Sequence, residues 1–276
     1  MSRISNSLAL ARSSWAVLKA DKELMLLPVI SGAASLIVAA SFLIPIIAAG
    51  VSDLGGATLA LMLIMYFVLA YITIFFNAAL ISAANERLEG GDPTVGSAIR
   101  GAARRAGKIL PWALLSAVVS VILRAIEERV GLVGKIVIAI VGMAWTVVTF
   151  LVLPIIVVEG ASAGRALKKS GRLVRSTWGE NLAGHIGLGI VGFLLFIPAI
   201  VLVVAGVVSA GTGVGGVAIA LGVLWGIIVV IVMTALTGIY QTALYHFAVA
   251  GHVPSDYFDS RVMGSAFHTR RSRRRR

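Results

Sequence analysis

The strongest constraint on this chain is a set of apolar runs, each long enough to cross a bilayer. A spanning α-helix needs about 17 or more predominantly apolar residues. Five runs clear that length: Leu24 to Gly50, Ala57 to Ala84, Ile136 to Val158, Leu182 to Val208 and Val217 to Phe247. A sixth, Ile109 to Ile126, lies between Lys108 and Arg124. It offers a helix of only about 22 Å at 1.5 Å per residue, and it spans if Arg124 snorkels to the interface. An aqueous globule could not hide this much apolar surface. The chain is 59% hydrophobic and 13% charged with a mean hydropathy of +0.99, against about half and a quarter in soluble domains. The expected fold class is all-α, a polytopic transmembrane helical bundle of about six spans.

Charge decides how the runs are threaded. With six spans and a cytoplasmic N-terminus, one side carries Arg3, Arg12, Lys19, Lys22, Arg87, Arg100, Arg104, Arg105, Lys108, Arg165, Lys168, Lys169, Arg172, Arg175, Arg261 and the terminal arginines. The other side keeps only Arg124, Arg129 and Lys135, beside Glu127 and Glu128. The positive-inside rule demands that asymmetry, whereas five spans would carry two of the most basic segments across. The expectation is a multi-pass protein of the cell membrane with both termini cytoplasmic.

Two stretches on the basic side match each other. Glu89-Gly90-Gly91-Asp92-Pro93-Thr94 opens a short basic helix reaching Arg104, and Glu159-Gly160-Ala161-Ser162 opens another reaching Arg172. The alignment sets Thr94 on Ser162, Gly96 on Gly164, Ala98 on Ala166, Ile99 on Leu167, Arg100 on Lys168 and Arg104 on Arg172. Thr94 and Ser162 fall where an N-cap hydroxyl satisfies the first-turn N–H groups. Gly251-His252-Val253-Pro254-Ser255 punctuates the end of the last run in a similar way. Phe76-Asn77-Ala78-Ala79-Leu80 also aligns with Tyr240-Gln241-Thr242-Ala243-Leu244. These matches point to three helical hairpins with amphipathic interfacial helices, with chance similarity among apolar helices as the competing explanation.

At the N-terminus, Ile4, Leu8, Ala11, Trp15 and Leu18 form a stripe at 3.6-residue spacing, as in a helix lying in the membrane surface. The expected organisation is residues 1–23 as an N-terminal amphipathic interfacial helix, 24–250 as the six-span transmembrane domain and 251–276 as a basic cytoplasmic tail. That tail ends in Arg270, Arg271 and Arg273 to Arg276, a cluster suited to anionic headgroups. It lacks the aromatic interleaving or folded basic module of a nucleic-acid binder.

The sixth run has small residues every fourth position, Ala218, Gly222, Gly226, Thr234, Gly238 and Thr242, with Val230 interrupting. Such a seam lets another helix approach closely. It serves either packing within the chain, with Gly184, Gly187, Gly189 and Gly192 as the facing surface, or a face toward a second copy or another membrane protein. Pro45, Pro154 and Pro198 are expected to bend their helices.

Signals for chemistry are weak. With no cysteine there is no thiolate nucleophile or thiolate metal site, and no cofactor is expected. Gly211-x-Gly213-x-x-Gly216 lacks the strand that a dinucleotide fingerprint requires. Gly160-x-Ser162-x-Gly164, taken with His246, resembles the serine and histidine of rhomboid intramembrane proteases. Here, however, Ser162 follows its span on the cytoplasmic side, and His246 is followed by Phe247-Ala248-Val249. Polar groups inside spans are costly and often functional. Asn77, His185, Gln241 and His246 all fall in the cytoplasmic halves of their spans, so they could form one polar intramembrane layer.

Phe76-Asn77-Ala78-Ala79-Leu80, Leu88 to Thr94, Val158-Glu159-Gly160 with Ala166-Leu167-Lys168-Lys169-Ser170, Thr177-Trp178-Gly179-Glu180, and Ala243-Leu244-Tyr245 with Gly251 to Pro254 together resemble an uncharacterised prokaryotic family of six-span integral membrane proteins, catalogued as a domain of unknown function. The resemblance implies a six-helix membrane domain and supplies no activity. The Ala-Leu-Lys-Lys-Ser segment is also similar to membrane domains attached to some glycerophosphodiesterases, although no catalytic phosphodiesterase domain accompanies it here.

The function expected from the sequence is non-enzymatic: a membrane-organising, scaffold or sensing protein. Arg100, Arg104, Lys168 and Arg172 would contact anionic phospholipids, and Gly222, Gly226 and Gly238 would form the helix-packing seam. The alternative is a transporter or channel subunit for a small solute or lipid.

Overall fold

The computed structural model describes residues 3–48, 55–178, 183–209, 213–255 and 257–258, with side chains described outside 1–10, 176–188 and 190. The arginine-rich part of the basic tail, 259–276, therefore lies outside the described residues. Within them the protein is all-α. The elements are α1 (Arg3–Ala20), a 3-10 turn (Lys22–Met25), α2 (Leu26–Ala48), α3 (Gly56–Leu88), α4 (Val95–Ala103), α5 (Ala106–Glu127), α6 (Leu132–Thr149), α7 (Val152–Glu159), α8 (Ala163–Trp178), α9 (Ala183–Val208) and α10 (Gly213–Ala250).

Among the described residues six segments are long and apolar enough to cross a membrane: Lys22–Ala48, Gly56–Leu88, Ala106–Glu127, Leu132–Glu159, Val191–Val208 and Gly213–Ala250. The short run expected at 109–126 extends at its basic end. As α5 it has 22 residues, about 33 Å of helix, which matches a hydrocarbon core near 30 Å.

These segments form three hairpins, α2 with α3, α5 with α6, and α9 with α10. Each hairpin is preceded by one further helix, α1, α4 or α8. Each also ends the same way. The positive-φ residues among those described are Gly90 (φ 88°), Gly160 (φ 63°) and Gly251 (φ 77°), placed within two residues of the ends of α3, α7 and α10. Only glycine adopts this left-handed conformation without steric cost. After α3 the closure is a Schellman motif, with Gly91 N–H donating to Glu86 O at 2.9 Å and Gly90 N–H to Arg87 O at 3.1 Å.

The chain divides into two compact units, Leu26–Ser176 and Met1–Met25 with Thr177–Arg276. In the first, α3 packs against α2, α4, α5 and α7. Its N-terminal half exposes Leu59, Leu61, Leu63 and Ile64, while its C-terminal half buries Ala78, Ala79, Leu80, Ile81, Ala83, Ala84 and Leu88. Running the other way, α5 buries Ile109, Trp112, Ala113 and Ala117 and exposes Val121, Ile122 and Ile126. Trp112 stacks on Trp145 of α6 with ring centroids 6.2 Å apart. The dense core thus sits at the end carrying α4 and α8, and the remaining helix surface is bare hydrocarbon side chain, suited to lipid and not to water.

The fourth span is split. Pro154 has no N–H to donate and its ring crowds the carbonyl four residues back, so the helix is interrupted at Phe150 and Leu151. The fully buried Ser170 of α8 bridges the gap: its hydroxyl donates to Val148 O at 2.5 Å and accepts from Leu151 N–H at 3.3 Å. Pro45 and Pro198, by contrast, lie inside continuous helices.

In the second unit α10 packs against α1, the 3-10 turn and α9. It buries Ala235, Leu236, Ile239, Tyr240, Ala243 and Leu244. The antiparallel crossing with α9 is made by small residues. A Cβ on Gly222 would lie 2.8 Å from Val203 Cγ2 and 2.9 Å from Ala199 O, and one on Gly215 would lie 2.8 Å from Gly206 O. Trp225 Nε1 donates to Leu195 O at 2.9 Å, in the turn before Pro198. The seam therefore faces α9 at Gly222, while Gly226 is looser, with a Cβ there 3.8 Å from Ala199 Cβ. Gly238 is buried, and its carbonyl accepts from the Thr242 hydroxyl at 2.8 Å.

The surface facing the seam is only partly the expected glycines. Ala199, Leu202, Val203 and Gly206 lie at the level where the helices cross; Gly192 meets Met233, and Gly189 borders open space. Gly184 and Gly187 lie outside the residues described to side-chain level. On α1 the expected stripe is divided. Ser14, Val17 and Leu18 are buried while Trp15 is 47% exposed. Packing on α9 and α10 sets the inward face, and small Ser14 fits there in place of the bulky indole.

Candidate functional site

The α8 helix turns two chemistries in opposite directions. Ala166, Ser170 and Val174, four residues apart, are buried. Arg165, Lys168, Arg172 and Arg175 are exposed, and Lys169 is half-buried. Where α7 ends and α8 begins there is an open cleft of about 350 Å³, lined by Glu159, Gly160, Ala161, Arg165, Lys168, Lys169 and Arg172. Lys169 Nζ donates to Glu159 Oε1 at 2.7 Å. Arg165 Nε donates to the Ser162 hydroxyl at 3.2 Å.

The loop wall is held from behind by the start of α5. Arg105 Nε donates to Val157 O at 3.3 Å, and Lys108 Nζ donates to Gly160 O. These carbonyls belong to the C-terminal turn of α7, where cations complement the helix dipole. Gly160 is required here twice over. Its φ is 63°, and a Cβ would lie 2.6 Å from Arg105 Nη1.

The α4 helix is the matching element. Thr94 and Ser97 form a reciprocal capping box, with Ser97 N–H donating to Thr94 Oγ1 and Thr94 N–H to Ser97 Oγ, both at 3.0 Å. The Ser97 hydroxyl is also 2.9 Å from Glu86 Oε2 on α3. Ala98 and Ala102 are buried, and Arg100 and Arg104 are exposed.

The aligned pairs thus share environments: Ala98 and Ala166 inward, Arg100 and Lys168 outward, Arg104 and Arg172 outward. The correspondence extends to Ala102 and Ser170, both 0% exposed. Lys168 and Arg172 line the cleft, whereas Arg100 and Arg104 do not. Arg165, Lys169 and Glu159 join it, although the sequence reading singled out neither Arg165 nor Lys169. The spacing of Arg165, Lys168, Lys169 and Arg172 was the available signal, because positions i, i+3, i+4 and i+7 share one helix face.

The residues expected in a polar layer belong to both units. Asn77 is half-buried on α3 in one unit, and Gln241 and His246 are half-buried on α10 in the other. The His246 ring meets Tyr245 edge-on at 5.4 Å. The His185 side chain lies outside the described residues. Ser162 directly precedes α8, and its carbonyl accepts from Ala166 N–H at 2.9 Å.

Neither a curated protein nor a solved structure matches the chain, so the similarity to glycerophosphodiesterase-attached domains gains no support. One family model does match, described as "Family of unknown function (DUF6159)", over residues 57–255. That stretch runs from the first turn of α3 past the end of α10, across five of the six candidate spans, and with it this membrane-span-rich chain belongs to the DUF6159 family.

Proposed function

We propose that the protein is a non-enzymatic, multi-pass membrane protein that organises, scaffolds or senses the bilayer by contacting anionic lipid headgroups on the cytoplasmic side. One observation carries the reading. Two helices in one unit, α4 and α8, turn small buried residues inward and Arg100, Arg104, Lys168 and Arg172 outward. Basic residues near an anionic surface are worth about 1 kcal/mol each. The distribution of lysine and arginine supports cytoplasmic termini; a reporter fused after Arg276 that is active only outside the cell would refute that orientation. Replacing all four residues with glutamine should weaken binding of a fluorescent anionic lipid to the protein in mild detergent. Unchanged binding would sink the headgroup reading.

A transporter or channel subunit is the second reading, favoured by the repeated hairpins and the split fourth span. The groups exposed by the split, Val148 O and Leu151 N–H, are bonded to Ser170, which leaves them engaged and supports a structural role. Solute flux in proteoliposomes that is lost in Asn77→Leu or Gln241→Leu would reverse the preference. Covalent labelling of Ser162 by a fluorophosphonate would bring back an enzymatic role.

A further inference from the structure

We propose that the cleft between α7 and α8 binds a doubly charged phosphate group, the chemistry of a phosphomonoester, and that Glu159 is an internal anion which the ligand displaces from Lys169. The inference deepens the headgroup reading of this face and rests on it.

Arg165, Lys168, Lys169 and Arg172 share one strip of α8 and all line the cleft. Like charges at such spacing repel one another. Rotation of α8 cannot relieve them, because Ala166 and Ser170 are fully buried on the opposite side and Ser170 is bonded on both sides of the split span. Among the described residues a single carboxylate lines the cleft, that of Glu159, and it pairs with Lys169 at 2.7 Å. Arg165, Lys168 and Arg172 therefore face about 350 Å³ of space with no acidic side chain of their own in it. Behind the loop, Arg105 and Lys108 add two more positive charges against the carbonyls of Val157 and Gly160.

A phosphodiester brings one negative charge to such a cleft. A phosphomonoester brings about −1.5 to −2 and three strong acceptor oxygens, which suit the planar forks of Arg165 and Arg172 and the point charge of Lys168. Glu159 matches the first charge of an incoming anion in kind and place. A dianion outcompetes it for Lys169 where a monoanion does not.

The test uses the full chain in nanodiscs of zwitterionic lipid. One arm titrates inorganic phosphate and glycerol phosphate in solution; the other incorporates a phosphomonoester lipid or a singly charged phosphodiester lipid. The phosphomonoester lipid should bind about tenfold more tightly than the phosphodiester lipid. Lys168→Gln should weaken it about fivefold, and Arg172→Gln by a similar factor. Glu159→Gln should strengthen binding, and Arg129→Gln, on the α5–α6 turn, should leave it unchanged.

Equal binding of the two lipids would overturn the proposal while leaving the headgroup reading standing. Binding of soluble phosphomonoester without lipid would uphold the cleft's chemistry and refute the headgroup reading. No binding in either arm would refute both, and a Glu159→Gln protein that binds no more tightly would remove Glu159 from the site.

Discussion

The α4 and α8 helices start from one residue pattern and end in different circumstances. α4 is nine residues long and is locked. Its capping box is reciprocal, Ser97 reaches Glu86, and α4 lies so close to α3 that a Cβ on Gly101 would fall 2.0 Å from Ser82 Oγ. α8 is sixteen residues long, its leading hydroxyl accepts from Arg165, and its cations look into a cleft. Sequence repetition assigns where small and basic residues go. Packing then decides which copy has room beside it for something else.

The contrast can be broken by exchanging the features that create it. Ser170→Ala should have the largest effect, about 2–3 kcal/mol of lost stability, because two buried backbone groups lose their partner. The matching change, Ala102→Ser, should bring no gain, since nothing beside α4 is split. Unfolding in detergent measures both, and unchanged stability in Ser170→Ala would show that the bridge over the fourth span is dispensable.

Gly101→Ala should cost about 1–2 kcal/mol by overpacking α4 on α3. Gly171→Ala on α8, where the nearest atom is Val148 Cγ1 at 3.6 Å, should be neutral or gain up to about 1 kcal/mol of helix propensity. If both variants behave alike, the two helices are equally tight and the distinction falls. Thr94→Val should cost about 1 kcal/mol through loss of the cap. Ser162→Ala should cost less than about 0.5 kcal/mol, because its hydroxyl bonds an exposed guanidinium. A larger penalty at Ser162 than at Thr94 would invert the assignment of which helix is held by its first turn.

Much of this was legible in the residues. The spans follow from run length, because a helix in hydrocarbon must satisfy its own backbone and apolar runs announce it. The three returns followed from Gly90-Gly91, Gly160 and Gly251, since glycine marks a left-handed closure in a way no other residue does. What the sequence did not carry were relations between distant positions. Ser170 reads as an ordinary polar residue on a basic helix until the Pro154 split is placed beside it. On α1 the stripe runs through Trp15 and Leu18, and only the contacts with α9 and α10 show that Leu18 is covered while Trp15 is left outward. The partners of Gly222 on α9, Ala199, Leu202 and Val203, are of the same kind. Small residues show that helices can approach, and only the crossing shows where. Of the cleft, Lys168 and Arg172 came from the repeat, whereas Arg165, Lys169 and Glu159 needed the turn at Gly160 to bring loop and helix together.

The hydroxyl of Ser170 makes α8 a splint for the fourth span. Lift α8 away from the protein, and Val148 O and Leu151 N–H both lose their partner; keep it in place, and the two pieces of the helix stay joined. Anything that shifts α8 is thus felt in the fourth candidate span through one hydroxyl, and slower amide exchange at Leu151 when the outer strip of α8 is occupied would be its signature.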